Sequence, residues 1–138
     1  MSANIDVLNP EKRKKVLLVA ANPSVSTQTG WPIGFWAAEL THPYFEFNEK
    51  GYEVEIVSPD GGKLELDGFS DPRHESGYSA HDLISWGFLS SPNHSKLLEN
   101  TKSISQVKIE DYDALFLAGG QSPMYTFVDN EKLQKFVA

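Results

Sequence analysis

From Ala114 to Ala118 the chain runs through five apolar residues with no polar alternation, then stops on Gly119 and Gly120. A strand with one face in water alternates. An unbroken apolar run is what a strand covered on both faces requires, and such strands are the central strands of parallel α/β sheets. Two glycines at the end let the backbone turn sharply and come close to another group. A second run of the same kind, KVLLVAA over residues 15–21, ends at Asn22-Pro23.

The intervening pattern supplies the crossover. Over residues 33–50, Phe35, Trp36, Leu40, Tyr44 and Phe47 recur at three- and four-residue steps, which predicts a helix stopped by Gly51 and kinked or restarted at Pro43. Residues 52–58, YEVEIVS, read as the next strand and close a β-α-β unit. Residues 60–91 break the rhythm with Asp60-Gly61-Gly62, Asp67-Gly68 and Asp71-Pro72. That stretch predicts an insertion over one end of the sheet, with a short helix at 80–88. A helix at 93–103 then leads into the strand at 114–118. A last helix opens at residue 130, capped by Asp129 or Asn130, with Leu133, Phe136 and Val137 as its apolar face. The expected whole is one domain, residues 1–138.

Composition narrows the class of partner. The balance of 12 Lys and Arg against 19 Asp and Glu is 12 − 19 = −7, which argues against nucleic acid and anionic membranes as partners. The basic cluster at 12–15 reads as a solvated lead-in to the first strand. The apolar run at 16–21 is too short for a signal-peptide core, and no stretch approaches the about 20 apolar residues of a membrane span. The absence of cysteine excludes disulfides and thiolate metal sites and fits a cytoplasmic protein.

Four places could carry chemistry. Glu39 falls on a helical face with Phe35, Trp36 and Pro43, at i−4, i−3 and i+4. A carboxylate inside that stripe would be buried and its pKa raised, which suits a proton donor or a partner for a nucleophile. An ordinary helical glutamate reaching solvent fits the spacing at least as well. Gly119 and Gly120, at the carboxyl end of a buried strand, could expose N–H groups to a developing oxyanion, or could form a plain tight turn. The Ser-, Thr- and Gly-rich loop at 24–30 could cradle a phosphate, although Trp31-Pro32 follows where free N–H groups are wanted. His74, Glu75 and His81 lie close together in the insertion, but their spacing matches no closed metal-ligand pattern. His42 reads as orienting the Pro43 kink, and His94 as part of a helix start.

Four segments then carry a resemblance: Glu39 with Leu40-Thr41-His42-Pro43, VSPDGG at 57–62, Asp71 in the insertion, and DYDALFLAGG at 111–120. In this order and spacing they resemble the DJ-1/PfpI superfamily, in particular the branch containing glyoxalase III, whose members are also described as stress chaperones and protein deglycases. The resemblance implies a flavodoxin-like three-layer α/β/α sandwich with a parallel sheet, related to class I glutamine amidotransferases, here incomplete at its C-terminal side. It also implies a homodimer.

By the same resemblance Glu39 is the acidic partner of a nucleophilic cysteine, and the Gly120 N–H contributes to the oxyanion hole. Gly119 and Gln121 then lie against the substrate. Gln121-Ser122 stands where related members often have a His-Gly pair. The family's cysteine and histidine would lie beyond residue 138, so a C-terminal segment or a cleaved chain that stays bound is the expected partner. The implied reaction converts methylglyoxal or a related 2-oxoaldehyde to a hydroxy acid, or removes aldehyde adducts from protein. It uses no cofactor and no metal, because the redox change is internal to the substrate. Two readings from other classes compete with it: a non-catalytic chaperone or regulatory binding protein of the same fold, and a flavin-binding flavodoxin relative.

Overall fold

The computed structural model describes residues 13–138; the leader, including Lys12 of the basic cluster, lies outside them. The first apolar run forms β1, Lys15–Val19. Leu18 and Ala20 enter one hydrophobic cluster, while Leu17 and Val19 enter another on the opposite face. This period-two division means that both faces of the sheet are covered.

Two short strands follow, β2 at Ser24–Val25 and β3 at Pro32–Ile33, paired antiparallel. The helix α1 spans Ala37–Glu49, so it starts at Ala37 and not at residue 33. The reason is tertiary: Phe35 is bridged to Leu66 on one side and to Gly120 on the other, and backbone committed to those bonds cannot join a helix. Pro43 lies inside α1 and does not divide it. Its missing N–H only leaves the Glu39 carbonyl without an intrahelical donor.

The parallel strand β4, Glu53–Ser58, pairs with β1 in the register Val16 to Val54 and Leu18 to Ile56. The insertion then runs back to Phe35 and into α2, Leu83–Ser90. Here α2 lies beside α1, with Phe88 and Leu89 in the same cluster as Leu18 and Leu40; the start of the insertion stays at the carboxyl end of the sheet, where the Asn22 side chain donates to the Gly61 carbonyl and the Gln121 N–H donates to Asp67. In place of the helix expected at 93–103 there is one turn, α3 at Pro92–Ser95, then a 3₁₀ turn at Lys96–Leu98. A short strand, β5 at Lys102–Ser103, follows and pairs with Val57 and Ser58. Thr101 decides this: its N–H and its hydroxyl both donate to the Gly62 carbonyl, at 2.9 and 2.6 Å, which draws the segment onto the sheet.

The second apolar run forms β6, Ala114–Leu117, parallel to β1 with Leu18 opposite Phe116. The strand order is β5-β4-β1-β6. The expected coverage of both faces holds for Phe116 and Leu115, which pack against the two opposite clusters, and not for Leu117. Among the described residues β6 is the outer strand, and Leu117 is 42 % exposed. The chain closes through α4, Ser122–Thr126, and α5, Glu131–Val137. Asn130 caps α5, its side-chain oxygen accepting the Leu133 N–H at 3.0 Å, and Leu133 is buried against Leu17, Val19 and Val57.

A polar network ties α1 to α2. Asp82 caps α2 by accepting the Ser85 N–H, accepts the Ser85 hydroxyl at 2.5 Å, and bonds the His42 ring at 2.8 Å; Ser85 in turn meets the Thr41 hydroxyl at 2.6 Å. His42 thus anchors the insertion and does not orient a kink. Burial alone would push the Asp82 carboxyl up, but the bonds from Ser85 and His42 outweigh it and hold it below the ordinary 3.8. A carboxyl lowered on folding stabilises the protein above its unfolded value. That contribution is lost as pH falls from the ordinary value through the folded one. Asp82→Ala is expected to cost about 1–2 kcal/mol at neutral pH, as for a lost N-cap, and to flatten the acid limb of stability. Urea unfolding of both proteins at pH 7 and below pH 4 would check this; an equal pH dependence would show that Asp82 carries none of it.

Candidate active site

The carboxyl ends of β1 and β6 bring the start of α1 against the glycine loop. The Trp36 N–H donates to the Gly119 carbonyl at 3.0 Å, and the Ser122 N–H donates to the Gly34 carbonyl at 2.9 Å. Gly120 takes φ 139°. A Cβ placed there would lie 2.5 Å from the Trp36 nitrogen and 2.7 Å from the Phe35 Cα. Only glycine allows this approach.

Glu39 sits in the first turn of α1, with its carboxylate over Gly119. A Cβ on Gly119 would be 2.3 Å from one carboxylate oxygen and 2.8 Å from the other. Glu39 and the two glycines, 80 residues apart in the sequence, are therefore neighbours. Glu39 is nevertheless exposed, which corrects the expectation of a buried carboxylate. Since α1 begins at Ala37, Phe35 is not on the helix at all. It is wholly buried in the core beneath, and the apolar stripe invoked for Glu39 does not form around the carboxylate. Desolvation is not part of what this geometry supplies.

Gln121, next in the loop, gives its backbone N–H to Asp67 at 2.8 Å. Its neighbour Ser122 donates its hydroxyl to the Asn22 carbonyl at 2.7 Å, joining the loop to the end of β1. Asp71, singled out in the sequence, is instead held by Arg73, whose Nε and terminal nitrogen donate to its two oxygens at 2.9 and 2.8 Å. That side-chain bonding keeps the Asp71 carboxyl below its ordinary range despite partial burial. The aspartate that reaches the glycine loop is Asp67. In sequence Asp67 stands in the Asp67-Gly68 pair that reads as a turn, so no local signal marks it as a partner of the glycine loop.

Other candidates separate from this cluster. In the loop at 24–30 the Ser26 hydroxyl accepts the N–H groups of Gln28 and Thr29, and the Gly30 N–H goes to the Ser26 carbonyl. Those amides are used inside the turn, which disfavours a phosphate cradle. His74 bonds Ser76 and packs on the Phe69 ring. Among the described residues no three His, Asp or Glu side chains gather as a metal site would require. His94 bonds the Ser91 hydroxyl at the start of α3. The His42, Asp82 and Ser85 set is not a hydrolytic triad, because Ser85 and His42 both address the carboxylate and not each other. No helix among the described residues is long and apolar enough to cross a membrane.

The chain is similar to known proteins over most of its length. A glutathione-independent glyoxalase of Schizosaccharomyces pombe, hsp3101, is 30% identical over 135 residues, covering 87% of this chain and 48% of that protein. Among solved structures, the Rapid Encystment Protein 24 KDa of Francisella tularensis superposes with a TM-score of 0.75 at 30% identity, over 90% of this chain and 52% of its own. Glyoxalase III from Candida albicans gives a TM-score of 0.69 at 26% identity, over 90% and 51%. The chain spans about half the length of the curated relatives it matches. The four-stranded parallel sheet between helices is the fold of these neighbours, and with residues 33–138 matching the DJ-1/PfpI family, the chain belongs to that family.

Proposed function

We propose that the intact protein is a glutathione-independent glyoxalase acting on methylglyoxal or a related 2-oxoaldehyde. The observation that carries this reading is the Glu39 carboxylate lying against Gly119, the residue before Gly120, at the carboxyl end of the sheet, in a chain whose relatives bear glyoxalase names. The nucleophile in this reading is a cysteine outside residues 1–138, since the chain has none. Its thiolate adds to the aldehyde carbon, and the alkoxide that forms is held by the Gly120 N–H. A proton then moves from the aldehyde-derived carbon to the neighbouring carbonyl carbon, with Glu39 as proton partner. The first carbon is oxidised to a thioester and the second is reduced to an alcohol. Water releases lactate and returns the thiol, so no external oxidant or cofactor enters the balance.

The companion segment that brings the cysteine has a place to dock. The outer strand β6 is apolar, with Leu115 and Phe116 half-buried and Leu117 exposed, and an unpaired edge of this kind pairs with a further strand. Residues 1–138 expressed alone are expected to self-associate on gel filtration, and to become monodisperse with amide protection on β6 when the companion segment is supplied. A monodisperse protein with protected β6 amides in its absence would remove this part of the proposal.

The decisive assay incubates the purified protein, with every co-purifying polypeptide identified by mass, with methylglyoxal and follows lactate by NMR. Lactate formation without glutathione supports the reading. Its absence from an assembly that contains the cysteine would favour the binding-protein alternative, for which there is one specific observation. A cavity of about 750 Å³ lies between α1 and α2, away from Glu39, lined by Tyr44, Phe45, Leu83 and Phe88.

A further inference from the structure

Beside the glycine loop lies a buried charge that the proposed reaction does not use. Asp67 is 3 % exposed, and a carboxylate so placed is costly unless its oxygens are hydrogen-bonded. Both are. One oxygen accepts the Gly34 N–H at 2.7 Å and the other accepts the Gln121 N–H at 2.8 Å. Its backbone is held as well: the Asp67 N–H donates to the Phe35 carbonyl at 2.9 Å, and its carbonyl accepts from the Ser70 N–H and hydroxyl. One side chain of the insertion therefore clamps the segment before α1 to the residue after Gly120.

The consequence for Gly120 follows from peptide geometry. The peptide before it is oriented by the bond from the Trp36 N–H to the Gly119 carbonyl. In a trans peptide the N–H points opposite to the carbonyl, and none of the described peptides is cis. The Gly120 N–H is thus directed away from the start of α1. The peptide after Gly120 is oriented by Asp67. With both planes held, the unusual φ of 139° is imposed, and the Gly120 N–H keeps one direction before any substrate arrives. Donors fixed in advance are what make an oxyanion site effective.

We propose that Asp67 is the positioning residue of the Glu39 and Gly120 site, acting through the backbone of the glycine loop and not by contact with substrate. The part that concerns catalysis rests on the glyoxalase reading above; the part that concerns Gly120 does not. Asn at this position keeps the shape but presents an NH₂ group to one of the two N–H donors. Gln121→Pro removes the same bond from the other side, and the native φ of −77° at Gln121 lies within proline's range.

The test uses the full protein with its companion segment, as wild type, Asp67→Asn and Gln121→Pro. The first readout is the Gly120 amide resonance together with hydrogen exchange at Gly34 and Gly120. The second is kcat and KM for methylglyoxal. Both variants are expected to move the Gly120 resonance, to speed exchange at Gly34, and to lower kcat by about 10²-fold; in Asp67→Asn, which leaves the Gln121 side chain in place, KM changes little. A Gly120 resonance and a kcat that stay at wild-type values in a folded variant would overturn the proposal. Should Asp67→Asn not fold, Gln121→Pro decides by the same criteria. Should the wild type itself release no lactate, the glyoxalase reading fails, and the Gly120 resonance alone decides whether Asp67 positions the loop.

Discussion

Glu39→Gln is expected to lower turnover of methylglyoxal by about 10²–10⁴-fold, the usual range for a general acid or base, while the protein stays folded. Glutamine occupies the same volume and retains polar atoms over Gly119, so the geometry of the loop survives and only the ionisable group is lost. The exposed setting of Glu39 makes the separation clean. Within residues 13–138 no buried charge is removed and no core contact changes, so the stability of this part should shift only by the about 0.3–1 kcal/mol that a carboxylate gains at a helix N-terminus. Lactate formation and thermal unfolding of the two proteins, measured side by side, check both halves. Unchanged turnover would strip Glu39 of its role, and with it the observation on which the proposed function rests.

The two loop glycines are expected to fail in opposite ways. On Gly119 an added Cβ meets the end of the Glu39 side chain at 2.3 Å. That end is exposed and flexible, so it swings aside at little cost in stability. Gly119→Ala should therefore unfold near the wild-type temperature while turnover falls by about 10²-fold, because the carboxylate no longer lies over the loop. On Gly120 the Cβ meets backbone, the Trp36 nitrogen at 2.5 Å and the Phe35 Cα at 2.7 Å, at φ 139°. Neither can move without opening the bridge between Phe35 and Gly120. Gly120→Ala should cost roughly 1–3 kcal/mol in strain and a similar amount in overpacking. Gly34→Ala, whose Cβ would lie 1.9 Å from the Glu65 carbonyl oxygen, should cost at least as much. Chemical denaturation ranks the three. A Gly119→Ala protein as unstable as the other two would mean that Glu39 is held rigidly over the loop, contrary to its exposure.

Much of the architecture is legible in the sequence. The runs at 15–21 and 114–118 announced a parallel sheet, and the pattern at 52–58 announced its neighbour, because side-chain burial in a strand follows a two-residue period that the chain writes locally. The last helix is legible to within a residue, with Asp129 or Asn130 as its cap, of which the structure uses Asn130. The site was legible only in part. Glu39 and Gly120 are legible as candidates, and the structure sets Glu39 against the neighbouring Gly119, but Glu39 is not buried, because Phe35 lies outside the helix.

What the sequence determined by itself are the features written within one turn or one strand: which runs are apolar throughout, where glycine permits a sharp turn, and which residues can cap a helix. The tertiary structure alone decided the start of α1 at Ala37, the conversion of Lys102–Ser103 from helix to strand, and the reach of Asp67 to Gln121 across 54 residues. Each of these is settled by a hydrogen bond or a bridge between segments distant in the chain. Backbone amides buried at such crossings must find acceptors, and the acceptor they find, the Gly62 carbonyl for Thr101 or the Asp67 carboxylate for Gly34 and Gln121, depends on which segments the fold has brought together and not on the residues beside them.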